Sequence, residues 1–373
     1  MSKHYDNLSE LNQYTPLREK LIATHKSVSE LFPFIQRIAI AIYDPQTTML
    51  KTYLHSSGED NPLENYQALL NDAPSLKNIL KEGLPRVINN LLTFEASHNA
   101  HTKRIGRQGY AASYTLPIFN NGIFIGFVFF NSKQNDVFTE QVLRQIDVYG
   151  HMISLMVINE LTSIQTLSAA VKTASSITHV RDPETGSHLD RMSRYSRIIA
   201  TTLAGKYNLD DEYIEHIFMF SPLHDIGKIS IPDNILLKPG KLNKEERIIM
   251  NTHANKGREI VDELLKNFGL ENIKYMSMLR NIAQCHHEAI NGKGYPQGIK
   301  GDQIPIEARI VAVADVFDAL TSARSYKAAW SNKKAIDTLL EMAGEKLDVD
   351  CVNALIQNMD EVETIQKLFI ETE

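Results

Sequence analysis

HDIGKISIPDNILLKPGKL, residues 224–242, decides how the second half of this 373-residue chain is read. It opens on an adjacent His224-Asp225 pair, sets Lys228 three residues later, and runs into a stretch, 229–240, rich in Gly, Pro and Lys. Asn243 then stands ahead of Lys-Glu-Glu, the pattern of a helix N-cap. Two metal-binding side chain types therefore sit at a helix-to-loop junction. A His-Asp pair alone arises often by chance, so its meaning depends on what accompanies it.

Outward from this pair, candidate ligands recur in order. Glu184 and His188 are four residues apart and Arg191 follows three later, so on a helix all three share one face. His253, the adjacent pair His286-His287, Asp315 and, three residues on, Asp318 complete the series. Each lies on or beside an expected helix, and a bundle of such helices turns its ligands inward. Ser331 caps a further helix and Gly344 stops it, leaving two long loops, 229–240 and 291–305, to shape the mouth of the site. Neutral imidazole and carboxylate together suit first-row metals such as iron, manganese or zinc. A carboxylate can bridge two ions, which one imidazole nitrogen cannot, and Asp225 and Asp315 are the candidates. Glu184, His188, His224, Asp225, His253, His286, His287 and Asp315 are too many ligands for one ion, and they suffice for two or three. Clustered ions clamp a phosphodiester and lower the pKa of water from about 15.7 toward ~7.

The ordered motifs resemble the HD-GYP phosphodiesterases, a branch of the HD metal-dependent phosphohydrolases. They are DPETGSHLDR (182–191), HDIGKISIPDNILLKPGKL, His253 with Gly257, HHEAINGKGYPQGIKGDQIP (286–305) and ARIVAVADVFDALTSARSYK (308–327). The resemblance covers about half the chain. It implies hydrolysis of cyclic di-GMP to linear pGpG and onward to GMP, with iron or manganese as the ions. It also implies that His188, His224, Asp225 and Asp315 form the general ligand set. His253, His286 and His287 then add a second ion with Asp225, and Glu184 adds a third. Lys228 matches a lysine beside the scissile phosphate, where it offsets charge developing on phosphoryl oxygens. Tyr295 of the Gly-Tyr-Pro triplet, Asp318, Arg324 and Lys327 match substrate-binding positions, Arg324 being suited to a guanine edge. Asp318 could equally orient Arg324 or a ligand histidine from behind. Ala289, Asn291, Ala254 and Ser325 depart from the family pattern, which touches loop contacts rather than ligands.

The amino-terminal part reads differently. Short β-rich runs at 38–43, 49–54 and 85–89 precede SYTLPIFNNGIFIGFVFFNS (113–132), whose Asn-Asn-Gly is a hairpin turn between two strands. This part resembles a GAF sensor domain. From Thr139 the apolar period changes to three and four: Val142, Ile146, Tyr149, Ile153, Val157, then Leu161, Ile164, Leu167, Val171 and Ala174. One long helix is expected, its stripe explained by burial against the neighbouring domains or by a homodimer, of which the homodimer is preferred. The expected fold class is α+β: a GAF-like α/β sensor domain (1–138), a connecting helix (139–172) and an all-α HD-type bundle (173–373).

Bulk properties set the remaining bounds. A net charge of −6 gives no basic field for DNA or RNA, and two cysteines, Cys285 and Cys351, exclude a disulfide framework. The polar start and short apolar runs point to a cytoplasmic protein with no membrane segment. The resulting expectation is a sensor-regulated cyclic di-GMP phosphodiesterase. Its further partners are a small ligand in the GAF-like domain and a diguanylate cyclase at the GYP loop. The rivals are a phosphodiesterase for another cyclic dinucleotide such as cyclic GMP–AMP, and a non-catalytic dinucleotide receptor.

Overall fold

Alternating apolar residues in the first third of the chain do form strands, and six of them hydrogen-bond into one antiparallel sheet. The strands are β1 (Ile35–Asp44), β2 (Met49–Ser56), β3 (Gln67–Leu69), β4 (Arg86–Ile88), β5 (Ala112–Asn120) and β6 (Ile123–Ser132), in the order β3-β2-β1-β6-β5-β4. The computed structural model describes residues 6–370 apart from 14, 58–62, 64, 92–104, 106, 178–185, 271–273 and 323–328. The β5–β6 turn is the expected one: Asn120 faces Ile123, while Asn121 and Gly122 take φ of 50° and 81°. Gly126 on β6 is required by packing, since a Cβ there would lie 2.1 Å from the Ala41 carbonyl oxygen of β1. Helices α1 (Leu17–Leu31) and α2 (Pro74–Glu82) belong to the same unit.

The chain divides into units 1–163 and 164–373, and the division falls inside α3 (Glu140–Ile177). This helix has 38 residues, about 57 Å at 1.5 Å per residue. Its apolar stripe packs on the unit's own sheet: Ile146, Ile153 and Val157 are fully buried, and Gly150 fits under Leu116. Tyr114 donates to Asp147, and the Tyr53 hydroxyl donates to Glu160 at 2.7 Å. Burial within the chain, the alternative to a homodimer for this stripe, accounts for Ile146, Ile153 and Val157. Val148 and Leu155, on another face, are about two-thirds exposed.

The second unit is helical. Its elements are α4 (Gly186–Tyr207), α5 (Asp211–Phe220), α6 (Asp233–Leu236), α7 (Lys244–Asn251), α8 (His253–Phe268), α9 (Met276–Cys285), α10 (Ile306–Thr321), α11 (Asn332–Met342), α12 (Val349–Ile356) and α13 (Met359–Leu368). Local sequence starts and stops them. Asp210, Ser331 and Asp348 cap α5, α11 and α12, and Asn243 forms a reciprocal capping box with Glu246 on α7. Gly269 ends α8 at φ 67°. The bundle core gathers Met192, Tyr195, Ile199, Phe220, Ile282, Phe317 and Leu355. Tyr195 meets Phe317 edge-on at 5.4 Å, worth about 1 kcal/mol beyond the area it buries. That interlock joins α4 to α10, and both helices carry site residues. Among the described residues no helix is long and apolar enough to cross a membrane.

Candidate metal centre

Five segments supply the centre, and each brings its side chains through a local device. His188 lies in the first turn of α4, with Arg191 three residues along the same face. After α5 the chain makes a short 3-10 turn, Ser221–Leu223, then His224 and Asp225, then a second such turn, Ile226–Ser230, which carries Lys228. His253 is the first residue of α8, and His286 and His287 follow the last residue of α9. Asp315 and Asp318 lie on α10, one turn apart.

Seven of the eight expected ligands meet. Asp225, His253, His286 and His287 place ligand atoms within 4.8 Å of one another, and so do His188, His224 and Asp315. The groups adjoin: His224 Nε2 is 3.3 Å from Asp225 Oδ2 and 4.0 Å from Asp315 Oδ1. Asp225 Oδ1 in turn lies 3.2 Å from His253 Nε2 and 3.4 Å from His286 Nε2. Asp225 thus stands between the two groups, with one oxygen toward each, as a bridging carboxylate must. Glu184, Arg324 and Lys327 lie outside the described residues.

Hydrogen bonds set the tautomer of each buried ring. Nδ1 of His224, His253 and His286 reaches the backbone carbonyls of Ser221, Met250 and Ile282 at 2.9, 2.8 and 2.9 Å. A carbonyl only accepts, so Nδ1 carries the proton and the Nε2 lone pair points into the centre. His188 follows the same rule with a carboxylate, its Nδ1 lying 2.8 Å from Asp318 Oδ2. Burial lowers the basicity of His286 and, with neighbouring His286 adding to it, holds His287 well below the usual histidine range. Burial opposes ionisation of Asp225, but Lys228 at 2.7 Å and the surrounding His224 and His253 hold its carboxyl well below the usual carboxylate range.

These residues fit divalent ions. His253 Nε2, His286 Nε2 and Asp225 Oδ1 are buried and make no hydrogen bond, an arrangement that costs about 1–3 kcal/mol per atom in an ordinary core. The rings are also crowded, with centroids of His286 and His287 4.1 Å apart and of His224 and His286 5.1 Å apart. Convergent lone pairs around an ionised carboxylate are what a cation satisfies.

Two glycines allow the assembly. A Cβ on Gly227 would lie 1.9 Å from the His253 carbonyl oxygen and 2.4 Å from the Gly257 nitrogen, so the turn after Asp225 lies directly on α8. A Cβ on Gly294 would lie 2.2 Å from the Ala289 nitrogen. The GYP loop therefore folds onto the His286-His287 segment, where the Tyr295 amide donates to the His287 carbonyl at 3.2 Å. Tyr295 places its ring 4.8 Å from that of His287, and burial, then Asp225, raise its hydroxyl pKa.

Asp318 corrects the sequence reading. It was expected among the substrate-binding residues, yet it is fully buried and both its oxygens are occupied. Arg191 Nε donates to Oδ1 at 2.7 Å; Arg191 Nη2 and Ser322 Oγ donate to Oδ2 at 2.9 Å each. It stands behind His188, the alternative the sequence had left open. Sequence reasoning missed Ser322, the Phe369 carbonyl that Arg191 also grips, and the Gly227–Gly257 contact. Glycine at 227 and 257, both near a histidine ligand, was the available signal. Of the departures, Ala254 sits in the first turn of α8, and Asn291 Nδ2 donates to Glu345 at 3.0 Å.

A helical bundle that turns imidazoles and carboxylates inward around an adjacent His-Asp pair defines a class, the HD domain. Residues 182–351, somewhat under half of the chain, match the family model of the HD domain. Over the same half it is similar to phosphodiesterases of cyclic dinucleotides. It is 44% identical over 185 residues to the cyclic di-GMP phosphodiesterase response regulator RpfG of Xanthomonas campestris pv. campestris (strain 8004), covering 50% of this chain and 46% of that one. A cyclic di-GMP phosphodiesterase of Vibrio cholerae serotype O1 is 38% identical over 195 residues, covering 51% of this chain and 39% of that one. The 3'3'-cGAMP-specific phosphodiesterase 2 of the same organism is 35% identical over 249 residues, covering 63% and 46%. The chain spans about half the length of the curated relatives it matches. The GAF domain of Acinetobacter phosphoenolpyruvate-protein phosphotransferase aligns with TM-score 0.34 and 13% identity over 42% of this chain and 90% of that one.

Proposed function

We propose that this chain is a metal-dependent phosphodiesterase that opens cyclic di-GMP to pGpG, with its amino-terminal unit a GAF-like sensor of a small ligand. One observation carries the reading: Asp225 stands between two adjoining groups of ligand atoms, with Lys228 2.7 Å away. His188, His224 and Asp315 would hold one ion, and His253, His286 and His287 a second, with Asp225 shared. Glu184 belongs to a third. The mixture of imidazole and carboxylate suits first-row divalent metals, of which the family resemblance favours iron or manganese, and such ions would supply Lewis acidity toward water and phosphoryl oxygen.

The chain's own residues do the rest. Nδ1 protons anchored on carbonyls and on Asp318 fix the tautomer of His188, His224, His253 and His286 and aim each Nε2. Lys228, 2.7 Å from Asp225, would offset the charge that gathers on the phosphoryl oxygens. Tyr295, stacked beside His287, forms a wall for the dinucleotide, and Arg324 and Lys327 grip guanine and phosphate. In the same reading a homodimer uses the exposed Val148–Leu155 face of α3, and the GYP loop is the contact for a diguanylate cyclase.

Protein purified without oxygen and loaded with iron(II) or manganese(II) should convert cyclic di-GMP to pGpG. Absence of turnover in protein shown to hold its ions would refute the activity. The similarity to a 3'3'-cGAMP-specific phosphodiesterase favours a second reading, in which the mixed dinucleotide is the substrate. Competition between the two dinucleotides separates them through the ratio of kcat/KM.

A further inference from the structure

His188 is held unlike the other buried histidines. His224, His253 and His286 are each oriented by a carbonyl three or four residues away in their own stretch of chain, a neutral and local anchor. The partner of His188 Nδ1 is instead the carboxylate of Asp318, on α10, which is fully buried. That carboxylate is clasped by Arg191 through Nε at 2.7 Å and Nη2 at 2.9 Å. Arg191 also donates from Nη2 to Ser322 Oγ at 2.6 Å and from Nη1 to the Phe369 carbonyl oxygen, just past α13, at 2.7 Å.

We propose that Arg191 and Asp318 are positioning residues that set the metal affinity of the His188–His224–Asp315 group alone, and that the Phe369 carbonyl completes them. An anionic acceptor on Nδ1 makes Nε2 a stronger donor than a carbonyl does, and it fixes the ring more firmly. Asp318 can remain a buried carboxylate because the guanidinium matches both its oxygens. The guanidinium is held in turn at its far nitrogen by the chain after α13. The group around Asp225, His253, His286 and His287 shares none of these contacts. The segment at 369 therefore bears on one half of the centre and leaves the other alone. This rests on reading the cluster as a metal site.

The test is titration of chelator-treated protein with manganese(II), read as bound ions against free ions. Wild type should show binding at both groups. Asp318→Asn keeps the size of the side chain and an acceptor oxygen but removes the charge; it should weaken one class of site roughly 10–100-fold and leave the other in place. Arg191→Lys, which keeps a charge but loses the fork, should weaken the same class to a smaller degree, and it carries the test should Asp318→Asn fail to fold. A chain cut after Leu368 should reproduce the effect, whereas Phe369→Leu, which keeps the carbonyl, should not. Equal weakening of both classes, or none in folded variants, overturns the proposal. A wild-type protein that binds no manganese at all overturns the metal reading beneath it.

Discussion

Gly227 and His253 meet backbone to backbone, with a Cβ on Gly227 placed 1.9 Å from the His253 carbonyl oxygen. The contact seats the turn after Asp225 on the start of α8 and so brings Asp225 Oδ1 to 3.2 Å from His253 Nε2. No side chain can move aside to relieve a clash with a carbonyl. Gly227→Ala should therefore cost about 3 kcal/mol, at the upper end of ordinary overpacking. Chemical denaturation would read that loss, and metal analysis should show fewer ions bound. Wild-type stability and full occupancy would mean the turn is not pinned there.

Lys228 tests the division between binding ions and stabilising charge. Lys228→Ala should lower kcat on cyclic di-GMP by on the order of 10²–10³-fold. The ion count should hold, because the ligands of both groups remain. Steady-state kinetics beside metal analysis checks this; loss of ions with the lysine would place it in metal retention instead.

Gly294 fixes the GYP loop against the Ala289 nitrogen. Gly294→Ala should lift Tyr295 off the His287 ring and raise KM for the dinucleotide, with little change in bound metal. An unaltered KM would remove Tyr295 from the substrate wall.

His216 governs part of the response to acid. It is fully buried, its Nδ1 donates to the Glu212 carbonyl at 2.7 Å, and burial pushes its pKa down to about 4. The unfolded chain binds a proton near pH 6.5, which the folded chain refuses until about pH 4. Stability from this group is therefore complete above pH 6.5 and declines as pH falls from there toward 4, by up to about 3 kcal/mol. Denaturation curves across that window should be flatter for His216→Gln than for wild type.

Much of this was legible in the sequence. Five of the six strands, the Asn121-Gly122 turn, the long helix, and the caps at Asn243 and Ser331 follow from local rules of period and turn chemistry, whereas β3, three residues long, carries no such signal. Seven candidate ligands could be picked out because an ordered series of imidazoles and acids is hard to obtain by chance, and these seven meet in the fold. What escaped was contact across the fold. Helix α1, with its apolar positions mixed among charged ones, gave no clean period. The stripe of α3 has the same apolar spacing whether it faces a sheet or a second helix. Asp318 looks like a substrate contact by its place in a motif, and only the packing of α4 on α10 turns it toward His188.

The anchors of His224, His253 and His286 lie within four residues of the rings they hold. Each ring is aimed once its own turn has formed, before any ion arrives. Such a site is a rigid receptor, so little ordering entropy is lost on capture and affinity follows from the donor atoms themselves. It differs from small zinc modules, whose chains collapse around the ion. Ions held there would be withdrawn and returned, or one element exchanged for another, on an intact scaffold.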